Sequence, residues 1–122
     1  MRRFTTRGET PSGGMYVWDI SYQDGPHLKS TITIRMDSYG DGVAEVSDSL
    51  VSGATVYFTM THLTSGDYSN YVGTTDSSGQ ITFMWKRAPS GSYGGLVTDL
   101  THSTYTYNSL LDFDNPDYFT RT

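Results

Sequence analysis

Residues 54–63, ATVYFTMTHL, decide the fold class. Ala54, Val56, Phe58 and Met60 occupy every second position, and Tyr57 lies between them. Successive side chains of an extended chain point to opposite faces, so this spacing gathers the four apolar groups on one side. A helix would scatter them around its circumference. The stretch is therefore predicted to be a strand with one buried face, and Tyr57 is predicted to face away from the core.

The same period of two recurs on either side. MYVWDISY (15–22) places Tyr16, Trp18, Ile20 and Tyr22 on one face. STITIRM (30–36) sets Ile32, Ile34 and Met36 against Thr31, Thr33 and Arg35. QITFMWK (80–86) aligns Ile81, Phe83 and Trp85. LVTDL (96–100) and STYTYN (103–108) read as two further short strands. Between them lie QDGP, SYGDG, LTSGDYSN, TDSSGQ and APSGSYGG, all rich in residues that favour turns. No helical period persists over three turns. Short strands at this spacing predict an all-β, two-sheet sandwich of about seven strands. Trp18 and Trp85 are expected in its core.

Composition agrees. The 122 residues suit one domain, and their 14% aromatic content includes ten tyrosines. Residues 1–14, with Gly8, Pro11, Gly13 and Gly14, read as a flexible N-terminal arm, and 15–122 as the domain. A second reading of the arm is a strand that adds to the sheet edge of another subunit. The net charge of −5 argues against nucleic acid as a partner, since phosphate recognition wants a basic face. No apolar run is long enough to span a bilayer, so no membrane insertion is expected. The chain has no cysteine, which excludes disulfides, zinc–thiolate sites and thiol nucleophiles.

Two sets of motifs resemble known modules. SGATVYFTM followed by YVGTTDSSGQITFMW is similar to the core of bacterial immunoglobulin-like domains of the invasin/intimin type, through Gly53, Ala54, Val56, Thr75 and Gly79. MYVWDI and LTHSTYTYN resemble the opening and closing strands of the immunoglobulin-like module appended to secreted bacterial and archaeal proteases and glycoside hydrolases. The resemblance spans about residues 15–115 and implies an immunoglobulin-like sandwich. It further implies an extracellular or cell-surface accessory module, serving adhesion, spacing or substrate targeting rather than catalysis. The connection from 37 to 52 is longer than that pattern has.

That connection contains DSYGDGVAEVSD (37–48). Asp37, Asp41, Glu45 and Asp48 fall at positions 1, 5, 9 and 12 of a twelve-residue count, and Gly42 at position 6. This approaches the ligand spacing of a calcium loop. Tyr39 at position 3 does not fit, and the entering segment is a strand. Two readings stand: a calcium site on those four carboxylates, or a solvated acidic connection. A second acidic group, Asp112, Asp114, Asn115 and Asp117, admits the same pair of readings.

Tyr68, Tyr71 and Tyr93 lie in segments read as loops and are the candidates for ligand binding. Tyrosine faces stack on sugar rings while nearby polar groups orient hydroxyls, so a carbohydrate-binding module is one alternative. A subunit of a surface filament, self-assembling through the N-terminal arm, is another. The expected partners are thus a polysaccharide or a surface protein. His27, His62 and His102 form no HxH or HxxxH pair, and a structural hydrogen bond is the expectation for His102. No nucleophile elbow and no phosphate-binding loop is present, so no enzymatic activity is expected.

Overall fold

A computed structural model describes residues 14–122. Seven strands, all antiparallel to their neighbours, form two sheets. They are β1 (Met15–Gln23), β2 (Leu28–Met36), β3 (Thr55–His62), β4 (Tyr68–Thr74), β5 (Gln80–Trp85), β6 (Gly91–Thr101) and β7 (Asp117–Arg121). One sheet has the order β1-β2-β5 and the other β4-β3-β6-β7. The all-β two-sheet sandwich is therefore as expected. β4 pairs with β3 rather than with β5, so the chain changes sheets at the turn 75–79. The expected arm at 1–14 lies, but for Gly14, outside the described residues.

The core is the set of alternate residues predicted for β3. Ala54, Val56, Phe58 and Met60 are fully buried and meet Ile32, Ile34 and Phe83 of the opposite sheet. Phe58 stacks on Phe83 at 5.7 Å between ring centres. Trp85 packs edge-on against Tyr93 at 5.5 Å, partly buried at the rim of the core.

Two bulges change which residues face inward. In β1 the pairing to β2 skips Trp18, so Val17 and Ile20 both point to the core. A strict period of two would place Tyr16, Trp18, Ile20 and Tyr22 together; the extra residue of a bulge breaks that register. Trp18 is consequently not a core residue. It lies half-buried outside the sheet, stacked on Phe113 at 4.7 Å with the Arg35 guanidinium 4.9 Å from the ring centre. In β6 the pairing to β3 skips Thr98, which brings Val97 and Leu100 to the same side.

The chain from 103 onward also differs from expectation. STYTYN forms no strand; it makes one bridge, Tyr107 to Met15, and leads into a short 3-10 turn at Ser109–Leu111. β7, with only five residues behind Pro116, carries too short an alternation to be read from sequence. Among the described residues no helix is long and apolar enough to cross a membrane.

Candidate functional site

The acidic connection 37–48 is built around two buried carboxylates. Asp37 accepts the amides of Asp41 (3.3 Å) and Gly42 (2.9 Å), and Asp41 in turn accepts the amide of Val43 (3.0 Å). Asp48 accepts the Tyr16 hydroxyl at 2.6 Å and the amides of Ser38 (3.1 Å) and Glu45 (3.4 Å). Buried donors in a loop must find partners, and these carboxylates supply them where no ladder runs. Tyr16, displaced from the core by its position before the bulge, becomes the post on which the loop is wound. Asp37 and Asp48 thus anchor the loop amides, Asp48 together with the Tyr16 hydroxyl. Among the described residues no three His, Asp or Glu side chains are arranged to hold a metal ion.

The second acidic group serves as a clamp. Asp112 accepts the amide of Val17 at 2.8 Å, Asn115 Nδ2 at 2.9 Å and the Tyr107 hydroxyl in a short hydrogen bond. Asn115 binds Val97 of β6 through both its amide oxygen (2.9 Å) and its amide nitrogen (3.1 Å). Asp114 accepts the amide of Ile20 at 3.0 Å. Residues 106–115 thus join the outer edge of β1 to β6 across the open side of the sandwich.

Burial, acidic neighbours and loop hydrogen bonds together set the proton affinities. Burial, and then neighbouring Asp41, holds Asp37 and Glu45 above the usual carboxylate range. Burial likewise raises Asp114, beside Asp19, and Asp117, beside Asp114. Burial works against ionisation of Asp41 too, but the Val43 amide and its two acidic neighbours win and hold it low. Hydrogen bonds from Ser78 and the Gln80 amide hold Asp76 low. A carboxyl raised in the folded state adds stability below its unfolded pKa, and that gain fades as pH rises to the folded value; a lowered one does the reverse. Asp114→Asn keeps an acceptor for the Ile20 amide but stays neutral at every pH, so its melting temperature relative to the unaltered chain is expected to be higher at about pH 7 than at about pH 4. Thermal melts at the two pH values check it, and an equal offset at both would refute it.

The histidines are engaged structurally. His62 lies between Ser65 Oγ (2.6 Å) and the Ser90 carbonyl (2.8 Å), so its Nε2 carries the proton and Nδ1 accepts. His102 donates to the Ser52 carbonyl at 2.9 Å and accepts the Thr104 amide at 3.0 Å, tying the end of β6 to the loop before β3. His27 accepts the Arg87 amide at 2.9 Å.

The three tyrosines singled out in sequence are not loop residues and do not share a surface. Tyr93 is fully buried in β6, its hydroxyl donating to the Pro89 carbonyl, because the Gly-rich stretch around it is strand rather than turn. Tyr71 faces inward from β4 and packs on Phe83 at 5.3 Å. Only Tyr68, three residues away and so on the opposite face, is open to solvent, at 64% exposure. It lies on the outer face of the four-stranded sheet, on which Tyr57 also opens to solvent, as predicted.

On that face pairing runs from Tyr68 through Thr61 and Gly94 to Tyr118. Three strand spacings separate the two tyrosines by about 14 Å. Tyr118 is 63% exposed, and its ring lies over Gly94: a Cβ there would sit 3.2 Å from Tyr118 Cε1. Leu63, Leu96 and Pro116 complete a shallow trough of about 190 Å³ floored by Gly94 and Gly95. Sequence reading missed Tyr118, and the one signal for it was the out–in–out alternation of Tyr118, Phe119 and Thr120 in β7.

Fold and surface together define a small all-β two-sheet sandwich, compatible with an immunoglobulin-like fold, with an aromatic and aliphatic outer face. In comparison with known proteins, no family model, no curated protein and no solved structure matches the chain.

Proposed function

We propose that the chain is a non-catalytic immunoglobulin-like module that works outside the cell, and that it targets a polysaccharide through the outer face of its four-stranded sheet. The observation that carries this reading is the row Tyr68–Thr61–Gly94–Tyr118. Exposed tyrosine rings offer apolar area at low entropic cost, and a sugar ring presents a matching apolar face. Thr59, Thr61, Asn70 and Thr120 supply hydroxyl and amide groups around the two rings. The likeness of MYVWDI and LTHSTYTYN to the accessory module of secreted proteases and glycoside hydrolases supports the same role.

Co-sedimentation of the purified domain with a panel of insoluble polysaccharides tests it. Tyr118→Ala is expected to lower affinity about tenfold, the effect of losing about 1.4 kcal/mol of stacking. Tyr68→Ala is expected to lower it less, because Tyr68 does not line the trough beside Tyr118. Retention of full binding by the double variant, or no binding to any member of the panel, would sink the reading.

A further inference from the structure

The geometry points to β4 as a self-pairing edge: two copies of this chain join their four-stranded sheets through antiparallel β4 strands, across a two-fold axis at Asn70. This rests on the backbone of β4; Tyr68 belongs to the polysaccharide row as well, but Tyr118 lies at the far side of the sheet, so the two readings fail separately.

Each sheet has two edges, and they are finished differently. The outer edge of β1 is covered: the amides of Met15, Val17 and Ile20 reach Thr106, Asp112 and Asp114, and the carbonyls of Met15 and Val17 accept Asn108 and Phe113. β7 is five residues long and carries Asp117 and Arg121 at its ends behind Pro116, devices that discourage pairing. On β5 the first outward residue, Gln80, has both its amide and its carbonyl taken by Asp76. That leaves β5 only Thr82 and Met84 before Lys86 and Arg87.

β4 has none of these protections. Its seven residues, YSNYVGT, hold no charge and no proline, and its register with β3 has no bulge. The His62 amide donates to the Asp67 carbonyl at 2.7 Å, and the Thr75 amide donates to the Ala54 carbonyl at 2.8 Å. Antiparallel pairs alternate, so Ser69, Tyr71 and Gly73 bond to β3. Tyr68, Asn70, Val72 and Thr74 direct their N–H and C=O groups outward, and among the described residues nothing hydrogen-bonds to them there.

The register follows from the side chains. A two-fold at Asn70 sets Tyr68 opposite Val72 of the second copy, Asn70 opposite Asn70, and Val72 opposite Tyr68. The two aromatic–β-branched pairs are a favourable cross-strand combination, and no like charges meet. Three outward-facing pairs exchange six hydrogen bonds. The occupant is therefore a second copy of this chain, matched to itself by neutrality and by register.

The absence of cysteine makes the test direct. Facing residues in a hydrogen-bonded pair have Cα atoms about 5.5 Å apart, within disulfide reach. Under mild oxidation Asn70→Cys is expected to form a covalent dimer several-fold faster than Val72→Cys, whose partner is Tyr68, and than Thr98→Cys on β6. Sedimentation of the unmodified chain is expected to show dimer growing with concentration, with slowed hydrogen exchange at the Tyr68, Asn70 and Val72 amides. Asn70→Lys, which opposes two ammonium groups on the axis, is expected to return the chain to monomer. A chain monomeric at every concentration overturns the proposal, and so does equal cross-linking of the three variants. A dimer whose β4 amides exchange as in the monomer overturns it as well. So does an edge that pairs only with an extended segment of another protein.

Discussion

Asp112→Ala is expected to destabilise the domain by about 3 kcal/mol, because it strands three donors at once. The Val17 amide, the Tyr107 hydroxyl and one hydrogen of Asn115 all lose their acceptor. Asn115 keeps its bond to the Val97 carbonyl, which limits the loss there. For a domain of this size the melting temperature should fall by roughly 10–15 °C. Tyr107→Phe removes one donor with its hydrogen and leaves Asp112 two partners, so it should cost about 1 kcal/mol. Urea or thermal unfolding of the two variants checks both values. Equal losses would mean that Asp112 acts only through Tyr107 and not as the junction between β1 and the segment after β6.

Gly95→Ala is expected to cost about 2–3 kcal/mol, although it adds a single methyl group. A Cβ at this position would lie 2.3 Å from the Tyr22 hydroxyl and 2.7 Å from Phe58 Cζ. Neither can withdraw freely. Phe58 is held against Phe83, and Tyr22 donates to the Asp117 carbonyl at 3.0 Å while its ring stacks on Phe119 at 5.3 Å. The adjacent Gly94 is the control. A Cβ there meets only the exposed Tyr118 ring and Leu63, which have solvent to move into. Gly94→Ala should therefore cost under about 1 kcal/mol. The same unfolding measurement compares the pair, and equal costs would contradict the packing described around Gly95.

Where periodicity alone decides burial, the sequence was informative. β3 reads correctly residue by residue because every second position faces one apolar layer. β1 does not, because one bulge residue reverses the faces after Val17 and nothing local marks it. Tyr93 misled for a related reason. Glycines around it suggested a turn, whereas in β6 they make room: Gly94 for the Tyr118 ring, Gly95 for Tyr22 and Phe58. The partners that these glycines make room for are 24 to 73 residues away, so the requirement is not visible in the stretch itself. The acids at 37–48 were legible as a cluster, but not the direction in which each carboxylate turns. That direction is set by orphan amides of the loop and by Tyr16 from another strand. The outer-face row is a product of register between four strands, and no single segment contains it.

The clamp formed by residues 106–115 also bears on how the chain reaches its fold. The contacts that cover β1 join residues 94 and 95 positions apart at Ile20–Asp114 and Val17–Asp112. Closing so long a loop is slow, and β1 stays uncovered until it closes. During synthesis β1 and β2 leave the ribosome long before the segment that shields them. The early chain therefore carries a bare strand edge for much of its assembly. Conditions that delay the final segment, rather than conditions that weaken the core, are the ones under which this domain would aggregate.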